Sequence, residues 1–487
     1  VRKLSVALVA YAAIFGAFAA WRWHIWTFGA DSGTFAQVVA DAFGGFRDGP
    51  EQGTHFRFHW APLLAVLWPV MALGRSALYL QFAQIALVGA TAIPLYALAR
   101  GYVSEGRAFA YAALALLYPP LGAVAFTEFH EIAFYPVLVL AIVWAAEKAH
   151  WRAFALFGIL AALVREEACI VLALAGLCLT LVALARRDAP RERGQGLLAG
   201  SPREPERLAV AGFGLAAVNL AALFVYYRIV IPHVGSWQPS RFYDYPFAHG
   251  PAQLLAAIVS HPANAAAFFT LGRLTYLLEA LVPLAFLPLF SRWSLLALPG
   301  LLVILLSSDP IVWRMGSHYA AIWCPWLLLG ALAALVRRPH PLRWYRSALA
   351  LCVVFLVAFN PMHVAHFVRA VYPHEDAAKA LALVPPGALL VTHDEWFTHI
   401  AYRQRRATFF FCPNAEYAAF ALDYPNGYYQ HEVRPEVQRE LASGQMRVIA
   451  AFGRVRLYRR TPNRARAGRC VTLGDERYRS LRASLGE

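Results

Sequence analysis

The sequence predicts a polytopic α-helical membrane protein of about eleven transmembrane helices. Surface-lying helices are expected in its first external loop, and a small C-terminal α/β domain outside the membrane. Three observations predict this. Hydrophobic residues make up 59% of the chain and charged residues 15%, against roughly 45–50% and 25% in an ordinary soluble domain. Apolar runs near twenty residues recur and mean hydropathy is +0.48, as a bilayer demands. The arginines fall in short connectors between those runs, where the positive-inside rule places them. That placement accounts for the net charge of +15. With no aromatic–basic motif beside it, nucleic acid is not an expected partner.

Each element follows from the same alternation. Arg2 and Lys3 start inside, and span 1 (4–21) leads out. The bulky WRWHIW after it offers no small-residue cleavage site, so the span is expected to be retained. Residues 22–60 form a polar external loop. Residues 61–73 hold two prolines and are too short to cross, so they are read as a helix on the outer surface. Span 2 is 78–99, span 3 is 108–126, and span 4 is 132–147, with the turn TEFHE (127–131) outside. Residues 186–207 carry six arginines and face the cytoplasm. The apolar run 153–185 before them must therefore go out and come back, as spans 5 and 6. Its turning point is Arg165-Glu166-Glu167. The first arm has about 12 residues, about 18 Å of helix, so the three charges are expected below the outer surface in a water-filled recess. Span 7 is 208–230, followed by an external loop (231–272) with a possible surface helix at 251–260. Spans 8 to 11 are 273–290, 293–306, 320–336 and 347–359.

The membrane domain is thus read as 1–359 and the outer domain as 360–487 with an arginine-rich tail. In the latter, GALLVTHDEWFTHIAYRQRRATFFF reads as strand, helix, strand, the second strand falling on the aromatic run. MRVIAAFGRVRLYRRT reads as a hairpin turning near Gly453. Cys412 and Cys470 lie here and can pair if the region is outside the cytoplasm. Cys169, Cys178, Cys324 and Cys352 lie in apolar runs as packing residues.

On this topology the unusual polar residues converge on the outer side: Asp31, His59, the turn residues Glu128, His130 and Glu131, the hairpin tip Arg165, Glu166 and Glu167, and Arg241, Tyr243, His318 and Tyr319 on later loops. Charges at membrane depth are functional candidates by default. Each has a plainer role open to it. Asp31 can cap the helix that follows it. The 128–131 turn can be merely solvated, the three charges at 165–167 a structural ion pair, and His318 and Tyr319 interfacial anchors. No P-loop is present, so ATP is not the expected energy source. No CxxC or HExxH is present, so no dedicated zinc site is expected. A divalent metal is left open by the several carboxylates on the outer face.

The segments FGADSGTFAQ, HFRFHWAPLLAVLWPVMAL, LQFAQIALVGATAIPLYALAR, TEFHEIAFYPVLVLA, LVREEACIVLALAGL, GSHYAAIWCPWLL and VPPGALLVTHDEW resemble, in this order, a family of bacterial membrane proteins of unknown function. That family looks like a divergent branch of the GT-C superfamily of polyprenyl-phosphate-sugar-dependent glycosyltransferases. The resemblance implies a catalytic acid in the first external loop, helices lying on the membrane and an outward recess. Asp31 matches the first-loop acid. His59 to Leu64 resembles the segment that opens the surface helix, and Arg165 to Glu167 match the place of charged residues near the carrier phosphate. Ser32 departs from the pattern, which carries a second acid there.

The expectation is an inverting glycosyltransferase of the bacterial inner membrane, N-terminus inside. Its donor would be a polyprenyl-phosphate-linked sugar held against membrane lipid, with Asp31 as general base and Arg165 on the donor phosphate. Glu166 and Glu167 would orient Arg165 or bind sugar hydroxyls, and Tyr243, His318 and Tyr319 would contact sugar or phosphate. The C-terminal domain is a candidate for binding the acceptor, which is open among glycan, lipid and protein. The alternatives are a lipid or solute transporter or binding protein without transferase activity, and a scaffold for an envelope partner. Inverted repeats, which would favour transport, are not seen.

Overall fold

The computed structural model describes residues 2–185, 204–235, 245, 247–248, 251–309, 312–338, 341–359, 362–369, 374–426, 428–461 and 470–471. Among these, five helices are long and apolar enough to cross a bilayer: Arg2–His24, Ala77–Ala99, Glu166–Ala185, Pro205–Val234 and Pro341–Phe359. Two bent pairs raise the number to seven: Glu105–Leu116 with Pro119–Phe126, and Pro262–Phe268 with Leu271–Leu284. The first pair bends by 53° where Pro119 and Pro120 begin a new helix, since proline cannot donate to the preceding turn.

Each expected span overlaps a helix, and among the described residues five to seven of these are long and apolar enough, by length and composition, to cross on their own. Phe134–Glu147 has 14 residues and Trp151–Ala162 has 12. At 1.5 Å per residue these reach about 18–21 Å, short of a ~30 Å hydrocarbon core. Prolines and polar turns break the apolar runs before they reach spanning length. The helix Arg2–His24 turns Val6, Val9 and Ile14 outward, as a helix facing lipid tails does. Glu166–Ala185 and Pro205–Phe224 instead pack backbone to backbone. A Cβ on Gly176 would lie 2.5 Å from the Gly212 carbonyl oxygen, and one on Gly212 would lie 2.7 Å from that of Gly176. Small residues at such crossings are the usual means of close helix approach in membranes.

Residues 62–74 form a 3₁₀ turn running into a short helix. It buries Leu63, Leu64, Leu67 and Met71 and exposes Val66, Trp68 and Leu73. The segment 251–260 is helical, as expected.

The C-terminal part holds a four-stranded sheet of Leu390–Thr392, Tyr417–Ala421, Val455–Arg460 and Met446–Phe452, in that spatial order. The first pair is parallel and the others antiparallel. The hairpin turns at Gly453, which has φ +50°, a conformation costly for residues with a Cβ. The aromatic run does not form the second strand. It contributes one bridge, Thr408 to Val391, and Tyr417–Ala421 takes the central place instead. The aromatic side chains Phe410 and Phe411 fill the core, which explains their hydrophobicity without a ladder. Cys412 and Cys470 form a disulfide.

This sheet and its helices dock on the first loop. Thr398 Oγ1 donates to the Gly29 carbonyl at 2.6 Å. The Gln37 amide donates to the carbonyls of Gln404 and Ala407 at 2.8 and 3.3 Å, and accepts from the Gly49 N–H at 2.8 Å. A Cβ on Gly49 would sit 2.0 Å from the Ala407 carbonyl oxygen, so this contact requires glycine. The buried cores of the helical and C-terminal parts are continuous.

Candidate functional site

Two clusters of ionisable groups form around the first loop. The first begins where the helix Ala30–Ala40 follows Arg2–His24. Gly29, not Asp31, is the N-cap of this helix. The Gly29 N–H donates to Glu128 Oε1 at 2.8 Å. A carboxylate from another element thus serves the helix terminus, which leaves Asp31 in the first turn for other contacts. Its carboxylate lies 3.3 Å from His130 Nε2, and its side chain is 55% exposed. Beneath it, Glu128 is half-buried, and His130 and Glu131 are buried, so the 128–131 turn is not a solvated one.

Two glutamines set the turn. The Gln84 side chain accepts from the His130 N–H at 2.8 Å and donates to the carbonyls of Val124, Thr127 and Glu128. Gln81 donates to Ala125 and Thr127. Their spacing of three puts both on one helix face. His130 Nδ1 lies 2.9 Å from the Glu128 carbonyl. A carbonyl only accepts, so Nδ1 carries a proton and Nε2 faces Asp31. Burial lowers the His130 pKa, but the hydrogen bond and charge of Asp31 outweigh it and leave the imidazole above its ordinary value. Burial, then the Asp31 charge, push Glu128 up, opposed by Arg22. Arg22 is a buried cation at the end of the first helix, bonded to the Phe126 carbonyl at 2.6 Å and lying over Phe28. The His130 ring stacks on His318 with centroids 3.3 Å apart, and His318 meets Tyr319 at 4.1 Å.

The second cluster centres on Arg165, between Trp151–Ala162 and Glu166–Ala185. Its Nε donates to Glu167 Oε2 at 2.7 Å, and its Nη2 to Glu167 Oε1 at 3.3 Å and to His59 Nε2 at 2.9 Å. Nη1 pairs with Glu131 Oε1 at 3.2 Å. That contact is an ion pair without hydrogen-bond alignment, and both Glu131 oxygens lack a hydrogen-bond donor. His59 Nδ1 lies 2.7 Å from Glu166 Oε1, and the Trp60 N–H donates to Glu166 Oε2 at 2.9 Å. A carboxylate below and a guanidinium above therefore fix His59 as a neutral ring protonated on Nδ1. Burial first, and Arg165 second, hold its pKa well below the ordinary value. Burial works against the Glu131 carboxylate, but Arg165 and then His59 bring it below the usual range. Two further bonds pin the first loop to the hairpin tip: Trp60 Nε1 to the Ala162 carbonyl at 2.9 Å, and the Leu63 N–H to the Leu163 carbonyl at 3.0 Å.

The expected site residues thus gather, except that Arg241 and Tyr243 lie outside the described residues. Asp31 joins Glu128 and His130, and His130 joins His318 and Tyr319. Arg165 joins Glu131, Glu167, His59 and, through His59, Glu166. A cleft beside the second cluster is lined by Arg165, Glu167, His318 and Tyr319 together with apolar residues such as Ile304, Val312 and Ile322. Its volume of about 30 Å³ holds a water, not a sugar.

The sequence offered weak signals for residues it did not single out. Gln81 and Gln84 stand out as a polar pair inside an apolar span. Asp48, Glu51 and His55 lie within one short segment of the first loop, and one ligating atom from each lies within 4.8 Å of the others. His59, Glu166 and Glu167 make a second group of the same kind, with the Arg165 guanidinium bonded to two of its members.

Among solved structures, the chain is similar to the crystal structure of ArnT from Cupriavidus metallidurans bound to undecaprenyl phosphate. Identity is 15%, the TM-score is 0.50, and 94% of this chain and 99% of that chain are covered. It is also similar to the oligosaccharyltransferase of Archaeoglobus fulgidus in the apo form, at 12% identity and a TM-score of 0.45, covering 87% of this chain and 70% of that one. The ArnT likeness gives the chain the fold of GT-C glycosyltransferases. No curated protein matches its sequence. Residues 24–436 match the family described as predicted membrane protein DUF2079, and the chain belongs to that family.

Proposed function

We propose that this member of the DUF2079 family is an inverting membrane glycosyltransferase that moves a sugar from a polyprenyl-phosphate carrier to an acceptor outside the cytoplasm. The observation that carries it is the half-exposed Asp31 carboxylate, 3.3 Å from His130 Nε2, at the start of the first loop of a GT-C fold. A general base must be open to its substrate and held within hydrogen-bond reach. Asp31 would take the proton of the acceptor hydroxyl as the oxygen attacks the anomeric carbon. The carrier phosphate leaves with the electrons of the broken glycosidic bond. His130 Nε2, 3.3 Å away, holds the Asp31 carboxylate in place.

The geometry favours a different part for Arg165 than the phosphate contact expected of it. Its guanidinium already meets Glu131, Glu167 and His59. Two carboxylates against one arginine repel an anion, so a phosphate would have to displace one of them. Arg165 is better suited to positioning His59, Glu131 and Glu167 at the cleft. Carboxylates of this kind suit sugar hydroxyls, which donate to them. The cleft must widen to admit a sugar.

The outward orientation is supported by the arginine-rich 186–207 segment and by the Cys412–Cys470 disulfide, a bond that persists in oxidising compartments. The C-terminal part touches the first loop, so it is placed to meet the acceptor. In this scheme the 62–74 segment lies along the outer membrane surface, and the shorter helices complete a bundle approaching eleven passes. Purified protein in lipid, given labelled polyprenyl-phosphate sugar and a crude envelope acceptor fraction, should release free lipid phosphate and label the acceptor. Binding of the carrier with no turnover would instead favour a lipid-handling protein. An apolar groove of about 670 Å³ between Trp151–Ala162 and Pro205–Phe224 could serve such a protein.

A further inference from the structure

We infer that Asp48, Glu51 and His55 form a binding site for one divalent transition-metal ion, of the zinc or manganese class, which braces the first external loop. The three residues lie on the segment that runs from the short hairpin Arg47–Asp48 and Gly53–Thr54 into the turn His55–Arg57. One ligating atom of each is within 4.8 Å of the other two. The residues are 6%, 1% and 2% exposed, so water does not solvate their charges.

The second observation is what remains unbonded. Asp48 Oδ1 accepts from the Glu51 N–H at 2.7 Å, and Glu51 Oε1 meets His55 Nδ1 at 3.0 Å. Each residue therefore has one atom fixed by a neighbour. The remaining atoms, Asp48 Oδ2, Glu51 Oε2 and His55 Nε2, have no hydrogen-bond partner. Leaving a buried polar atom unbonded costs about 1–3 kcal/mol, and three in one place are rarely retained without a use. As metal ligands, two ionised carboxylates and a neutral imidazole would sum to a charge of −2, which one divalent ion cancels; without an ion, burial and then the Glu51 charge push the Asp48 carboxyl well above its usual range. The Arg57 charge acts on Asp48 and offsets only part of it.

The donor set selects the metal class. Two carboxylate oxygens and one imidazole nitrogen suit zinc or manganese. Calcium prefers six to eight oxygens, and magnesium keeps most of its waters. Three protein ligands leave a position for water. The neighbouring group of His59, Glu166 and Glu167 is the useful contrast: there the Arg165 guanidinium takes the cation's place. The site stands apart from any transfer chemistry. It fixes the loop between Gln37, which holds Gly49, and His59, which holds Glu166.

The test uses the full chain in detergent, stripped with chelator and titrated with Zn²⁺ or Mn²⁺, with Mg²⁺ as the control. Uptake near one equivalent is expected, with a rise in the unfolding midpoint of about 3 °C or more at saturating ion and no rise with Mg²⁺. The Asp48→Asn/Glu51→Gln double variant should lose both responses. His55→Gln keeps a similar size and should weaken uptake about tenfold or more; it serves if the double variant does not fold. A stripped wild-type chain that takes up no ion and shows no midpoint change overturns the site. So does uptake undiminished in the folded variants, which would place the ion elsewhere.

Discussion

Asp31 and Arg165 sit in two polar clusters a few side chains apart, and the clusters differ in kind. Asp31 is 55% exposed and meets His130 at 3.3 Å. Arg165 is buried and spends its guanidinium on Glu131, Glu167 and His59. An open carboxylate can exchange a proton with a visiting molecule. A sealed group of one cation, two carboxylates and a neutral histidine can hold a shape but cannot bind a further ion without breaking a bond it already has. On the proposed reading, proton transfer falls to the first cluster, while the second holds the loop and presents its carboxylates at the cleft.

Asp31→Asn separates the two most sharply. Transfer should fall by roughly 10²–10⁴-fold, up to about 5 kcal/mol of barrier, while thermal stability stays within about 0.5 kcal/mol, as at an exposed site. Turnover close to that of the wild type would move the base elsewhere, with Glu128 the next carboxylate to test.

Arg165→Ala should do the reverse. Removing the cation leaves Glu131 and Glu167 buried without it, and breaking such a pair costs roughly 3–5 kcal/mol. A steep drop in the unfolding midpoint is expected. In Arg165→Lys, which restores the charge but not the fork, carrier affinity should hold within a few-fold. A large loss of carrier affinity in a well-folded Arg165→Lys would return the phosphate contact to this residue.

Glu166→Gln is milder. It weakens, without removing, the charge-assisted bonds from His59 and the Trp60 N–H, each worth roughly 1.5–3 kcal/mol when intact, and should loosen the first loop. Faster hydrogen exchange across 59–64, with little change at Asp31, is the expected signature. Exchange rising equally at 30–40 would show that the two clusters are not separable.

The smallest expected effect is a pH slope. The folded His130 pKa is raised, chiefly because Asp31 outweighs burial. The ion pair's stabilisation is then complete below the unfolded imidazole value of about 6.5. It is lost as pH rises through the higher folded value. The wild-type unfolding midpoint should fall across that window, and His130→Gln should flatten the fall. An unchanged slope in the variant would assign the titration to another group, such as Glu128.

Much of the fold was legible because its signals are local. Each apolar run became a helix, the hairpin turned at Gly453, and the short arm before Arg165 came from counting residues between arginine-rich connectors. The aromatic run at 408–411 misled because hydrophobicity marks burial as well as strands, and here it marks burial. The site was legible only as a set of candidates. Asp31 stood out by position. That Glu128 caps its helix from another element, or that His130 turns Nε2 toward it, depends on contacts across about a hundred residues.

By itself the sequence determined that this chain lives in a membrane, and it marked the charges at 165–167 as candidates for a role. Hydropathy and charge act residue by residue, so they can be read in one dimension. Only the tertiary structure decided which carboxylate is open and which is sealed. It also showed that the C-terminal sheet closes on the first loop through Gln37 and Gly49, and that Asp48, Glu51 and His55 share one small space. Ionisation, pairing and metal affinity depend on distance and desolvation among groups the chain brings together only when it folds.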